Sequence, residues 1–513
     1  MSDKATRDKL ITCIQRDVWD CLDPTYVTKN AIPSKMFLTP KSLPSGKLDR
    51  VKGRIVAGGH RQDKSLYEDK EISSPTVALT SVLITAALAA KEGKHVMTLN
   101  HKAAYLNADM KGPAVEMPIF PEVAEILCDI GPKHRSYRRA AKKIAVRLKK
   151  ASFGCVQSAM LWYEELTSTW QDMGFIRNPY DKCSFTRLQD GSYDRILVYV
   201  DDLFLTSASE QRLQMIAEKL TSKYGSVTYK TGKEHDFLGI HWDFSIPGQS
   251  SLSMDGYVED VITKYNVTKQ CKTPATDRLF HTTADSPLLT SEKRELFRSC
   301  VMTLYYLAKR IRPEILTAIS YCATRILGPT EEDETKLDRV LSYLLFSRAQ
   351  KMILKIGSEA SLNAFVDSSF GLYEDGKSVT GVAIRLGNAA IYVKSGKQKI
   401  VTRSSTESEL VGISDALSQV LWTREYLISA GINIGPAVMF QDNQSTIFLA
   451  TKGRSTSERS RHIKIRYFFV AHYIATNEIK IEYIPTGQMI ADVLTKPLHG
   501  TLFKNFAKRL TGN

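Results

Sequence analysis

Cysteine is scarce in this chain of 513 residues: only eight are present, and none forms a Cys-x-x-Cys pair. They are too few for a disulfide scaffold, and their spacing signals no structural zinc site. Long apolar runs are missing as well. The most apolar stretch, Val82–Ala90, is far shorter than the ~20 residues needed to cross a bilayer. The opening Met1-Ser2-Asp3-Lys4-Ala5 has no apolar signal core. These absences predict a soluble protein of a reducing compartment with no membrane partner. The sequence also lacks internal repeats and low-complexity tracts. Acid is in deficit, 55 Asp and Glu against 70 Lys and Arg, for a net charge of +15. That excess favours a polyanionic partner without fixing a fold. Hydrophobic residues at 43% and charged residues at 24% are globular values, and the length suggests about three or four domains.

Three composition shifts divide the chain. Residues 1–245 mix short β-rich runs with helices, and Cys271–Thr290 is a polar, linker-like stretch rich in Thr, Asp, Ser and Pro. Beyond it, apolar residues recur at helical spacing through Phe297–Ile311, Ile315–Ile326 and Leu337–Phe346. From about 352 strands return and then alternate with helices. In the first block, Thr80 or Ser81 can cap a helix Val82–Lys94. A short β-run, His95–Leu99, follows and delivers Asn100 at its end. Further on, Ile196–Val200 and Leu203–Thr206 flank Asp201-Asp202, the pattern of a tight β-hairpin. Alone, such an acid pair reads as turn chemistry.

Its neighbours change that reading. Tyr199-Val200-Asp201-Asp202 lies about a hundred residues after Leu99-Asn100-His101-Lys102-Ala103-Ala104-Tyr105-Leu106-Asn107. Between them stands Ala151-Ser152-Phe153-Gly154-Cys155-Val156-Gln157-Ser158, and Asp236-Phe237-Leu238-Gly239-Ile240 comes after. Arg54-Ile55-Val56-Ala57-Gly58-Gly59-His60-Arg61-Gln62 and Ser74-Pro75 precede the set. In this order the motifs resemble the reverse transcriptase of copia-type LTR retrotransposons, over nearly the whole chain. The resemblance implies nucleotide addition at a pair of Mg²⁺ ions, with Mn²⁺ as the substitute, held by hard carboxylate oxygens. It makes Asp201 a metal ligand and Asp202 a second one. Arg54 would bind the triphosphate of a dNTP, Phe153 and Gly154 would border the incoming nucleotide, and Leu238 and Gly239 would support the primer end.

One departure stands out. Where the family carries a metal-bridging Asp, this chain has Asn100. Asn offers one neutral carbonyl oxygen and an NH₂ group that meets a cation badly. Losing that charge should cost at least ~10²–10³-fold in rate, while Asn and Asp share a shape that preserves the strand. Asp109, nine residues on, is a poor substitute. Val156 and Ala159-Met160, where the family usually has Lys and Pro-Arg, weaken template handling as well. Residues 133–150 hold nine Lys or Arg in eighteen positions. They read as a template–primer contact, or else as a solvated helix face.

The last third is expected to run strand Met352–Ile356, Leu362–Asp367, Val379–Leu386 and Ala389–Val393, then helix Thr406–Ser429 and strand Ala437–Asp442. Helices Gln444–Thr451 and Arg461–Ala475, strand Ile479–Ile484 and a helical turn near Ala491–Leu498 complete it. Antiparallel strands followed by βα alternation suit a mixed sheet covered by helices. Asp367 and Asp442 end strands, Glu409 lies early in a helix, and Asp492 sits in Ile490-Ala491-Asp492-Val493-Leu494-Thr495-Lys496-Pro497. The order resembles the Asp-Glu-Asp-Asp set of ribonuclease H, which the same family places after its polymerase. That implies Mg²⁺-dependent cleavage of RNA paired to DNA. Glu407 rivals Glu409, which is preferred because the family's helical ligand precedes an apolar position, here Leu410. His462 also matches a family motif, as a structural or nucleic-acid contact.

The sequence thus predicts an α/β (α+β) chain: fingers and palm over 1–245, a mostly helical thumb and connection over 246–350, and a ribonuclease H-like domain over 351–513. The expected partners are an RNA template, a DNA primer, RNA–DNA hybrid and dNTPs, with integrase or capsid components of the same element as further candidates. No Cys/His zinc cluster suggests a protease or integrase within the chain. The expected location is cytoplasmic, in virus-like particles, or nuclear. A catalytically inactive, domesticated nucleic-acid-binding remnant is the alternative.

Overall fold

A computed structural model describes residues 2–26, 31–42, 48–139, 141–225, 227–452 and 464–513. Its largest sheet is antiparallel and has six strands, ordered Val227–Gly232, His95–His101, Asp202–Ser207, Ser192–Tyr199, Ser184–Gln189 and Ile176–Arg177. Helix Leu79–Lys91 is buried on all sides from Thr80 to Ala90, as a sequence apolar apart from Thr80, Ser81 and Thr85 requires. It begins three residues before the expected Val82, and neither Thr80 nor Ser81 is its N-cap. Asp181 takes over that role from a distant loop, accepting from Ala78 N at 3.0 Å and Ser81 Oγ at 2.6 Å. Such a cap from across the fold is invisible to local sequence.

Ahead of the palm sheet, helix Ser2–Gln15, the hairpin Ser34–Ser42/Leu48–Ala57 and a three-stranded sheet of Trp19–Cys21, Ile144–Leu148 and Glu116–Ile119 form the fingers. They enclose a separate core around Leu10, Ile55, Met117, Leu127 and Val146. The basic stretch does not form a helix. It is a 3-10 turn, Pro132–Tyr137, and the strand Ile144–Leu148. Among the described residues, five of its nine cations are paired with acids: Arg135 with Asp129 at 3.7 Å, Arg138 with Glu125 at 2.8 Å, Arg147 with Glu116 at 2.7 Å, Lys150 with Asp109 at 2.6 Å, and Lys149 with Asp17. Asp109 is therefore engaged away from Asn100.

A four-stranded antiparallel sheet of Glu234–Phe237, Ile240–Asp243, Gln249–Ser253 and Met352–Lys355 links the parts. Met352–Lys355 pairs here, with Gln249–Ser253, rather than opening the C-terminal sheet as its position in sequence suggested. This sheet spans both expected boundaries, 245 and 351. Between its third and fourth strands lie helices Ser291–Arg310, Leu316–Arg325 and Glu331–Phe346. Cys271–Thr290 is irregular but not a free linker, because Thr273, Ala275 and Leu279 are buried.

The C-terminal sheet has five strands in the order Ala390–Lys397, Val379–Leu386, Leu362–Ser369, Ala437–Gln441 and Ile479–Tyr483. The first three pair antiparallel and the last two join in parallel. Helix Ser405–Ser429 packs on the central strand, where Gly412 is required: a Cβ there would stand 2.7 Å from Ser368 Oγ. This is a ribonuclease H-like mixed sheet. A final helix, Gly500–Thr511, was not anticipated. Its signal was present in Phe503, Phe506 and Leu510 at helical spacing, closed by Gly512 at φ +79°.

One hydrophobic core runs without a break from the palm through the connection into this last unit. Buried Tyr426 reaches Ser184 Oγ at 2.9 Å, and Asn178 Nδ2 donates to its carbonyl at 3.2 Å. Thr317 Oγ1 donates to the Val493 carbonyl at 2.6 Å. The ribonuclease H-like sheet is thus fixed against the palm. Among the described residues no helix is long and apolar enough to cross a membrane.

Candidate active sites: a palm hairpin and a buried acidic cluster

The palm hairpin turns on Val200 and Asp201, while Asp202 already belongs to the second strand, opposite Tyr199. Val200 adopts φ +57°, a left-handed conformation that costs a β-branched residue roughly 1–2 kcal/mol. Trp162 holds it by donating its indole N–H to the Val200 carbonyl at 2.7 Å. On the other side, Asp202 faces Asn100 across the sheet. His101 N donates to the Asp201 carbonyl at 2.9 Å. The strand that delivers Asn100 is therefore locked to the acidic turn.

Asn100 Nδ2 donates to Asp202 Oδ1 at 2.5 Å. The opposite amide orientation would set an oxygen against the carboxylate, so the hydrogen bond fixes the NH₂ toward Asp202. Burial raises the Asp202 pKa; the Asn100 hydrogen bond opposes that shift, and the Asp201 charge adds to it. The donor set here is two carboxylates and an amide turned the wrong way for a cation. Beside it, His101 was not foreseen from sequence. It is buried against Trp162 and Tyr224, with ring centroids 5.1 and 5.6 Å away, and burial pushes its pKa down to about 4. It is a neutral packing residue.

The fingers residues reach this turn through Tyr105, another residue not singled out in the sequence. Burial raises the Tyr105 hydroxyl pKa and the nearby Asp201 charge raises it further. Its ring lies 5.0 Å from that of Phe153. The Arg54 guanidinium stands 5.9 Å from the Phe153 ring centre. Gly154 has φ +92°, and a Cβ would fall 2.1 Å from the Ala57 carbonyl oxygen. Its lack of a side chain thus serves the fingers strand, to which Phe153 is tied by the Ala57 N–H at 2.7 Å. Leu238 and Gly239 form a two-residue turn with positive φ at both, the I′ geometry that favours Gly at its second position. The turn abuts the thumb helix, with Tyr306 Oη donating to the Leu238 carbonyl at 3.4 Å.

The second cluster is deeper. Asp367 lies on the central strand, Glu409 one turn into its helix, and Asp442 just past the end of the neighbouring strand. One carboxylate oxygen from each lies within 4.8 Å of the others. Asp367 and Glu409 are buried, and so is Asp492 on the 3-10 turn Ile490–Leu494. Burial raises the Asp367 pKa. It raises Glu409 well above the usual range, with the Asp367 charge adding to it. Asp492 is pushed up to about 7 by burial and then by Asp367.

Hydrogen bonds fix the cluster. Gln441 Nε2 donates to Glu409 Oε2 at 3.1 Å, Thr486 Oγ1 to Asp442 Oδ2 at 2.8 Å, and Thr495 Oγ1 to Asp367. Lys496 Nζ sits 2.8 Å from Asp492 Oδ1 and 3.4 Å from Asp367 Oδ1, a contact that spacing alone did not suggest. Glu407 is elsewhere: its carboxylate accepts from Arg403 N at 2.9 Å at the helix start. Converging, buried, all-oxygen carboxylates suit a hard divalent cation. His462 lies outside the described residues.

A model of the reverse transcriptase (RNA-dependent DNA polymerase) family matches residues 16–277, just over half of the chain. The chain belongs to that family. Its relatives place it with the copia-type elements. The Pol polyprotein of transposon RE1 from Arabidopsis thaliana is 28% identical over 97% of this chain and 33% of its own length. That of TNT 1-94 from Nicotiana tabacum is 26% identical, over 91% and 34%. The TyH3 Gag-Pol polyprotein of Saccharomyces cerevisiae is 25% identical, over 96% and 28%. The chain thus spans about a third of the length of the curated relatives it matches. In fold it is similar to a foamy viral protease-reverse transcriptase solved in complex with double-stranded DNA. The TM-score is 0.54 at 14% identity, covering 94% of this chain and 69% of that one.

Proposed function

We propose that this chain is a reverse transcriptase–ribonuclease H in which the hybrid-cleaving site is complete and the polymerase site is impaired. The observation that carries the reading is the gathering of Asp367, Glu409 and Asp442 within 4.8 Å. It contrasts with the Asn100 amide bonded to Asp202 in the palm. Residues 1–245 act as fingers and palm, 246–350 as thumb and connection, and 351–513 as the ribonuclease H unit.

In the acidic cluster Asp367, Glu409, Asp442 and Asp492 would hold a pair of Mg²⁺ ions, whose chemistry there would be activation of a water and stabilisation of the leaving 3′-oxygen. Gln441 orients Glu409, and Thr486 and Thr495 orient Asp442 and Asp367. The ribose 2′-hydroxyl and the shape of the hybrid mark the strand to be cut. In the palm, Asp201 and Asp202 are the remaining ligands. Arg54 binds the dNTP triphosphate, Phe153 borders the nucleotide, and Leu238-Gly239 supports the primer.

The protein is expected to degrade the RNA of a hybrid in Mg²⁺ and to extend a primer weakly; inert behaviour toward hybrid would overturn the reading. Asn100 and the +15 charge favour one rival, a nucleic-acid-binding remnant without catalysis. It requires tight, salt-sensitive hybrid binding with no cleavage.

A further inference from the structure

We propose that Lys496 is a tethered counter-ion that fills one of the two cation positions in the acidic cluster and so makes divalent ions enter in order. The inference rests on the ribonuclease H reading and deepens it. The cluster has two unequal halves. Asp367, Glu409 and Asp442 converge within 4.8 Å, and no ammonium or guanidinium among the described residues pairs with Glu409 or Asp442. Between Asp367 and Asp492, by contrast, the Lys496 ammonium lies 3.4 and 2.8 Å from the two carboxylates.

The placement is built into the chain. Lys496 N donates to the Asp492 carbonyl at 2.8 Å, and Thr495 binds Asp367, so one turn carries both the ligand and its counter-ion. An ammonium brings a unit positive charge and three donors; it relieves the repulsion of buried carboxylates but ligates nothing. A divalent ion therefore enters the Asp367, Glu409, Asp442 half without displacing a cation. The second ion must first lift Lys496 off Asp492. The side chain retains 37% exposure, enough for its flexible stem to swing into solvent.

The test is calorimetric titration of Mg²⁺ into the full chain, carried in a background with both Asp201→Asn and Asp202→Asn so that the palm contributes no binding. Two steps are expected, the second weaker. Lys496→Met should tighten the second step by roughly tenfold, through loss of a competing unit charge, and shift the first step less. It should also lower the melting temperature in EDTA and regain it in Mg²⁺. Lys496→Arg keeps the counter-ion and should leave the second step weak. Equal second-step affinities in wild type, Met and Arg variants would overturn the proposal. Asp367→Asn should abolish both steps; if it leaves them intact, the ribonuclease H reading itself fails. If it abolishes them while Lys496→Met changes nothing, only the role of Lys496 is lost.

Discussion

In the palm, Asn100 donates to Asp202, and the Asp201–Asp202 hairpin is satisfied by hydrogen bonds within the sheet. In the ribonuclease H-like unit, Asp367, Glu409 and Asp442 crowd within 4.8 Å and Asp492 lies beside them. Among the described residues, the cation paired there is Lys496. Both are acid clusters at the ends of neighbouring strands, yet they handle like-charge repulsion differently. One replaces a carboxylate by an amide and turns repulsion into a hydrogen bond. The other keeps the repulsion, raises its pKa values, and leaves a place that a cation fills favourably. A single side-chain atom, nitrogen in place of oxygen, makes the difference between a hydrogen bond to Asp202 and a carboxylate facing it.

The comparison can be broken most forcefully at Asp367. Asp367→Asn should reduce hybrid cleavage by on the order of 10³-fold, measured with a labelled RNA–DNA duplex, while primer extension stays at its basal level. Next, Asn100→Asp should raise Mg²⁺-dependent extension by at least ~10²-fold. It should also lower the melting temperature in EDTA, since a third carboxylate then faces Asp202 without a counter-ion.

A third expectation concerns pH. Burial, with the Asp367 charge adding to it, pushes the folded pKa of Asp492 up to about 7, above the usual carboxylate range. The folded state therefore holds this proton where the unfolded chain has lost it, and metal-free stability falls as pH rises from about 4 to about 7. Asp492→Asn mimics the protonated form. Its stability advantage over wild type, followed by denaturant unfolding in EDTA, should grow across that window and level off above it. A flat difference would show that Asp492 does not carry the repulsion assigned to it. Smaller still, Thr495→Val should remove one hydroxyl from Asp367 and cost about 1 kcal/mol, roughly fivefold in cleavage rate. Glu407→Gln should leave cleavage unchanged and cost no more than ~1 kcal/mol of stability as a weakened helix cap. Loss of cleavage there would exchange the roles of Glu407 and Glu409.

Much of both sites was readable because local pattern and geometry agree. Apolar runs around Asp201-Asp202 read as a hairpin, and the left-handed backbone of Val200 in its two-residue turn is the detail that alternation does not register. Asp367 lies two residues before its strand ends, at Ser369, and Asp442 just past the end of the parallel neighbour, so their convergence follows from the sheet. Glu409 rather than Glu407 comes from the resemblance, whose helical ligand precedes an apolar position, here Leu410; in the structure Glu409 is buried while Glu407 is spent on the helix start. What escaped was non-local. Met352–Lys355 reads as a strand, but its partner lies about a hundred residues earlier and nothing local names it. Asp181 caps a helix whose first turn offers residues that look sufficient. The basic stretch reads as one surface, yet five of its nine charges are met by acids from four other segments. Lys496 follows Asp492 by four residues, a spacing usual for an exposed pair, whereas the turn brings it onto two buried carboxylates.

The central claim, one crippled and one intact metal site on a single chain, is tested most directly by assaying both activities on one preparation. Wild type and the Asn100→Asp variant would be given a primed RNA template and a labelled RNA–DNA hybrid in the same Mg²⁺ buffer. The expected result is equal hybrid cleavage by both proteins, with extension rising at least ~10²-fold only in the variant. Equal extension by both, or hybrid left uncut by either, would contradict the account.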